Sequence, residues 1–364
     1  MSGGFGPEIA AVTAAALRVG SGHAKGVYAL PWYLVVGEPG SGRSTALRAM
    51  NLSWPEGEGP LRLPVAQPLC TYWVSGEAVF IEPEGFVLGP AVPNRNALAA
   101  LCDALRSARP REPVDGVLLV ISVVEFIDLD ERGVEAFANR LRGYLVDVGR
   151  RLHADVPVYI AVTRYDTLWG FAEVFQWTPE RRREEPWGFL LPGDTQSQQT
   201  VAKINEELDG LGARFESFCL AKLSSEDPPE HRTRALQHLA EVRELMTKLR
   251  ALLGVIAMAN AFERAPWIRA LGIGAAVPGA GDRLRVSAAR FANMGLSHPP
   301  QTPPARPGGL PMFAFLKTVV LPERELVPLR VRWRDDKVIV IGFILGLVLA
   351  FAAVATAIAF AISR

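Results

Sequence analysis

Tyr33-Leu34-Val35-Val36-Gly37-Glu38-Pro39-Gly40-Ser41-Gly42-Arg43-Ser44-Thr45 joins a short apolar run to a glycine-rich loop, and Ala46-Leu47-Arg48-Ala49-Met50 then opens a helix. Strand, loop and helix with the spacing G-x-x-x-x-G-[basic]-S are what a phosphate-binding loop requires. Gly37, Gly40 and Gly42 let successive backbone N–H groups turn into one concavity, where the helix N-terminus adds partial positive charge. Ser41 and Thr45 belong to the same candidate cradle, and Ser44 is placed to meet Mg²⁺. Where such loops carry lysine, this one carries Arg43. A lysine ammonium is a compact charge, whereas guanidinium is wider, planar and fork-shaped, so the loop's grip on phosphate is altered.

Two further stretches fit the same plan. The apolar run Ala78–Ile81 is followed by Glu82-Pro83-Glu84-Gly85, where a GTPase would place Asp-x-x-Gly for metal and γ-phosphate. Gly85 is in place, Glu82 is one methylene longer than Asp, and Pro83 stiffens a segment that would have to move. Beyond the run Val158–Val162 stands Thr163-Arg164-Tyr165-Asp166, with Asp166 where a guanine contact belongs and Arg164 where lysine would cover the base. Three altered motifs in the expected order, each at a strand end, point to common ancestry with GTPases. The expected ligand is GTP or ATP with Mg²⁺ held at Ser44 and Glu82, or none at all. Catalysis of phosphoryl transfer is nearly all positioning and electrostatics, so changes at phosphate, base and metal together argue against turnover.

Around these motifs, buried strands alternate with helices. Gly116–Ser122 and Val156–Thr163 are continuous apolar runs, as strands covered on both faces should be. Arg95–Ala108 and residues 130–152 have helical spacing, and Thr71–Val74 pairs with Ala78–Ile81 around a turn. This predicts an α/β fold, a P-loop GTPase-like doubly wound sheet over residues 28–193, preceded by a helical segment at 1–27. Two amphipathic helices form a C-terminal extension over 194–263, and residues 264–337 are expected to be loop-rich up to a basic juxtamembrane segment. Val338–Ile362 is uncharged and almost wholly apolar, long enough at about 1.5 Å per residue to cross a hydrocarbon core of about 30 Å. Arg330, Arg332, Arg334 and Lys337 flank it on one side against Arg364 on the other, so the main body is expected in the cytoplasm.

A net charge of +1 gives no whole-chain attraction to nucleic acid. Cys70, Cys102 and Cys219 lack metal spacing and fit a reducing compartment, and the five histidines show no ligand pattern. No secretory signal opens the chain, because Glu8 stands where a basic region would precede the apolar stretch.

The run from Leu30-Pro31-Trp32 through Gly42 resembles the cytoplasmic NTPase-like domain of the IcmF/TssM proteins of bacterial type VI secretion. The likeness continues through Cys70-Thr71-Tyr72-Trp73, Arg109–Val117, Pro157–Asp166, Gly170-Phe171, Pro186-Trp187-Gly188-Phe189 and Phe313–Glu323. The resemblance implies an inner-membrane component of a complex that anchors a contractile injection machine. Its cytoplasmic domain would meet baseplate and other secretion subunits, and homo-oligomers are open to it. Relative to that family plan, the two membrane helices before the domain and the periplasmic half after the span are missing. Either a separate chain would then supply the periplasmic part, or the chain is a reduced variant of the family plan.

The first expectation is therefore a membrane-anchored structural component whose GTPase-like domain docks cytoplasmic subunits. The alternative is a working GTP- or ATP-hydrolysing switch that controls assembly of that complex. A GTPase-like receptor subunit in another trafficking system is disfavoured by the family motifs.

Overall fold

The computed structural model describes residues 4–20, 26–49, 52, 54, 59–63, 68–84, 95–175, 185–193, 195, 197–223, 229–260, 263–275 and 312–326. In chain order the main elements are helix α1 (Phe5–Val19), β1 (Trp32–Val36), α2 (Arg43–Arg48), β2 (Cys70–Val74), β3 (Val79–Pro83), α3 (Arg95–Ala108) and β4 (Gly116–Ser122). They continue with α4 (Val123–Phe126), α5 (Glu131–Leu152), β5 (Pro157–Thr163), α6 (Phe171–Phe175), β6 (Gly188–Leu190), α7 (Thr200–Leu223), α8 (Pro229–Ala257), β7 (Trp267–Ile273) and α9 (Met312–Phe315).

Among the described residues seven strands form one mixed sheet in the order β2-β3-β1-β4-β5-β7-β6. The five inner strands run parallel, while β2 and β6 are antiparallel edges. The apolar runs explain the centre: every residue of β1, β4 and β5 is buried, because helices cover both faces. Trp32, Leu34, Val36, Val117 and Leu119 face α1, α3, α5 and the α7–α8 pair through one core cluster. Tyr33, Val35, Leu118 and Val120 face α2 and α9 through the other. Alternation along each strand thus sorts side chains to two different helical layers.

A buried ion pair supports the starts of β1 and β4. Arg109 is fully buried and its Nη1 lies 2.9 Å from Asp115 Oδ2, which also accepts from the Trp32 amide at 2.7 Å. The guanidinium sits over the rings of Tyr28 and Trp32, replacing water with two aromatic faces.

One expectation fails. Residues 264–310 were expected to be loop-rich, yet Trp267–Ile273 is a strand seated between β5 and β6. Glycine, proline and charge around it, with Arg269 and Gly272 inside it, hide the apolar run from a composition argument. The structure tolerates them by specific contacts. A Cβ on Gly272 would fall 2.3 Å from the Phe315 ring, and Arg269 bonds Pro192 O at 2.9 Å and Glu323. The edge strand β6 was not expected from sequence either. Among the described residues no helix is long and apolar enough to cross a membrane, and the span expected at 338–362 lies outside those residues.

Candidate functional site

The glycine-rich loop leaves β1 at the edge where the parallel strands end. β4 passes directly beneath it: a Cβ on Gly37 would come within 2.4 Å of Val120 O and 2.8 Å of Ser41 Oγ, so no other residue fits. Gly40 and Gly42 have φ of +87° and +88°, the left-handed region that only glycine enters cheaply. The Ser41 amide donates to Glu38 O at 3.1 Å, and the Ala46 amide to Gly42 O at 2.8 Å, starting α2. Thr163 reaches across from β5 and donates its hydroxyl to Ser41 O at 2.5 Å. Gly37, Gly40, Ser41, Gly42 and Thr163 are therefore brought together at one place. Ser41 is fully buried, and its Oγ has no hydrogen-bond partner among the described residues.

The charged groups are engaged with one another. Arg43 is buried, donates from Nη1 to Pro83 O at 2.9 Å, and holds Nε 3.6 Å from Glu82 Oε1. Ser44 Oγ donates to the same Glu82 oxygen at 2.7 Å, and Trp73 Nε1 donates to Glu82 Oε2 at 3.2 Å. Glu82 is 6% exposed, so two hydrogen-bond donors and the Arg43 cation share a carboxylate that water scarcely reaches. A buried carboxylate is tolerated only when it is hydrogen-bonded and its charge is paired, which Ser44 and Trp73 do for the first and Arg43 for the second. The backbone cradle suits a phosphate, and the Ser44–Glu82 pair is the hydroxyl–carboxylate pair a hard cation would part. The Arg43 cation is committed to the end of β3. Thr45 lies on α2, half-buried, with its carbonyl accepting from the Ala49 amide. Gly85 lies outside the described residues.

A second charged group rims the loop. Glu38 is nearly buried and accepts from Arg140 Nε of α5 at 2.6 Å. Glu125 caps the start of α4 by accepting from the Ser122 amide at 2.8 Å. Burial pushes the Glu125 carboxyl up to about 7, and the charge of Glu38 adds to the shift, while Arg164 and Arg140 oppose it. Sequence reasoning passed over Glu38, Arg140, Glu125 and Trp73. The only signal available was the position of Glu38 inside the loop.

The stretch expected to contact a base folds differently from its neighbours. Arg164 has φ +56° and is exposed, whereas Tyr165–Thr167 forms a buried single turn that takes Asp166 to 6% exposure. Tyr165 is completely buried and its hydroxyl lies 2.8 Å from His238 Nε2 on α8. His238 Nδ1 lies 2.7 Å from Trp169 O, so Nδ1 donates there and Nε2 accepts from Tyr165. Burial pulls His238 down to about 4. Around them Phe171, Phe175, Trp187, Phe215 and Phe218 stack edge to face and in parallel, with centroids 4.4 to 6.3 Å apart.

A family model described as the IcmF-related N-terminal domain matches residues 92–347, well over half of the chain. The chain belongs to the IcmF/TssM family. A curated relative, the type VI secretion system component TssM1 of Pseudomonas aeruginosa, is 27% identical over 266 residues. That alignment takes in 70% of this chain and 24% of TssM1, so the chain spans about a quarter of its relative's length. A crystal structure of an SsGBP variant aligns over 38% of this chain and 39% of its own, at 15% identity and a TM-score of 0.24, too low to bear on the fold. Several IcmF/TssM-like motif residues have a packing explanation here. Gly170 has φ +76°, and a Cβ on it would lie 2.4 Å from Arg234 O, so only glycine lets the turn dock on α8. Phe171 and Trp187 line the aromatic cluster. A Cβ on Gly188 would meet Leu271 O at 2.0 Å where β6 pairs with β7.

Proposed function

We propose that this IcmF/TssM chain is a membrane-anchored component of a type VI secretion complex, and that its GTPase-derived domain works as a docking module for cytoplasmic and baseplate subunits. The domain faces the cytoplasm, and Val338–Ile362 holds it to the inner membrane. Family membership and the likeness to TssM1 support the secretion role. The parallel order β3-β1-β4-β5 with a glycine-rich loop at the end of β1 supports descent from a P-loop GTPase. A self-associated complex is a further element of this reading.

One observation carries the docking role over the catalytic one. Arg43, Ser44 and Glu82, which a nucleotide and its Mg²⁺ would recruit, already satisfy each other in a nearly dry pocket. A ligand would have to break that network before gaining contacts of its own. The switch reading is favoured by the Ser41 hydroxyl, buried without a partner among the described residues inside an otherwise well-formed cradle.

Titrating the full chain in lipid nanodiscs with fluorescent GTP and ATP analogues and Mg²⁺ decides between them. The docking reading expects no saturation at micromolar nucleotide for either the native protein or Arg43→Lys. Micromolar binding that Ser44→Ala abolishes overturns it in favour of the switch.

A further inference from the structure

The described chain ends as a strap laid across one face of the sheet. Phe315 packs on Gly272, close to the end of β7. Five residues on, Val320 O accepts from the Tyr33 hydroxyl at 3.1 Å, near the start of β1. Glu323 then pairs with Arg269, near the start of β7. The strap thus runs against the strand direction, from the edge that carries the glycine-rich loop to the opposite edge. Its grip is polar at the far end and apolar along its length, with Met312, Phe315, Leu316 and Val320 all buried.

Direction fixes where the chain leaves. After Leu326 only Val327–Lys337, eleven residues, precede the apolar run that starts at Val338. Fully extended, that length reaches about 40 Å, and the edge at the exit needs the least of it to meet the bilayer. The starts of β4, β5 and β7 lie in register beside the exit, with Gly116 opposite Tyr33 and Pro157 opposite Trp267. The glycine-rich loop lies at the far end of the five-residue β1, about 17 Å further on.

We propose that the sheet edge bearing the starts of β4, β5 and β7 is the membrane-facing surface of the domain, and that the glycine-rich loop is turned away from the bilayer. This rests on the reading of Val338–Ile362 as a membrane span. The surface facing the headgroups then includes Arg111, Arg150, His153 and Arg264, all exposed on the segments that enter those strands or end α5. Partners approaching from the cytoplasm meet the opposite edge, with Glu38, Arg140 and Arg164.

Energy transfer to labelled lipid tests the orientation. Cys70, Cys102 and Cys219 are buried, so a maleimide donor goes to one introduced surface cysteine. Glu263→Cys marks the segment entering β7, and Glu131→Cys marks the start of α5 at the loop edge; both sites are exposed. The full chain is reconstituted into phosphatidylethanolamine–phosphatidylglycerol vesicles that carry a headgroup acceptor, and floated on a density gradient. In the floated protein, transfer from the Glu263→Cys label should exceed that from Glu131→Cys by roughly twofold, given a height difference of about 23 Å along the seven-residue β4 and β7. Equal transfer, or more from Glu131→Cys, overturns the orientation while leaving the span intact. Failure of the protein to float overturns the span and the orientation with it.

Discussion

The glycine-rich loop and the turn after β5 sit side by side at one edge of the sheet, and they are closed by different physics. The first is shut by a few polar contacts: Arg43 and Ser44 on Glu82, Arg140 on Glu38. The second is shut by packing. Tyr165 packs against four rings, Phe171, Phe175, Phe215 and His238, and its hydroxyl and both His238 nitrogens are bonded in full burial. A polar lock can be exchanged for a ligand's polar groups at a cost of order 1 kcal/mol per bond. An aromatic core of this kind yields only with α7 and α8, at several kcal/mol per side chain. Of the two stretches read in the sequence as nucleotide motifs, one is closed by exchangeable contacts and the other is part of the domain's foundation.

The largest effect expected from this contrast is at Tyr165. Tyr165→Ala should lower unfolding free energy by about 4 kcal/mol, through the cavity and the orphaned His238 nitrogen. Tyr165→Phe keeps the ring and should cost only about 1–2 kcal/mol for the unpaired nitrogen. Chemical denaturation of both variants measures the split; a near-neutral Tyr165→Ala would remove the distinction between the two regions.

Next in size is the pH dependence of the same cluster. His238 sits at about 4 folded against about 6.5 unfolded, so the unfolded chain takes up a proton first as pH falls. Its stabilising contribution is complete above about pH 6.5 and is lost between there and pH 4, amounting to about 3 kcal/mol. His238→Gln, compared with the native protein by denaturant melts at pH 7.5 and pH 5, should flatten that slope.

Sequence showed these regions unequally. The loop was legible because glycine spacing reports backbone geometry directly, and Gly37, Gly40 and Gly42 all stand at positions where a side chain would clash or strain. Helix α3 and strand β4 were legible to their bounds, since period and apolar run are local properties. Strand β7 was not: its place depends on Phe315 filling the space above Gly272 and on Glu323 meeting Arg269, contacts set by residues about fifty positions away. The role of Tyr165 was hidden for the same reason. Within Thr163-Arg164-Tyr165-Asp166 it looked like a spacer, and only the return of α8 with His238 makes it the anchor of the turn.

At the polar edge the effects should be smaller and opposite in pH. Glu125 is held near 7, above its ordinary 4.5, because burial disfavours its charge. A raised carboxyl favours the folded state below pH 4.5 and loses that advantage as pH rises through 7. Glu125→Gln keeps an oxygen for the Ser122 amide and should therefore stabilise the protein by about 2 kcal/mol at pH 8, with no gain at pH 4.5. Thermal melts at the two pH values test it.

The smallest change expected is Ser44→Ala. It removes one hydrogen bond from Glu82 while the Arg43 ion pair and the Trp73 hydrogen bond remain on that carboxylate, so the loss should be about 1.5 kcal/mol. The value matters more for comparison than for itself. If Ser44→Ala cost as much as Tyr165→Ala, the lock on Glu82 would be as rigid as the aromatic cluster, and no ligand could open it by exchange. A loss near the expected size, measured by denaturant melts at pH 7.5 without nucleotide, keeps the two closures distinct. It leaves the Gly37–Gly42 loop as the place on this edge where a bound group could still be traded for an internal one.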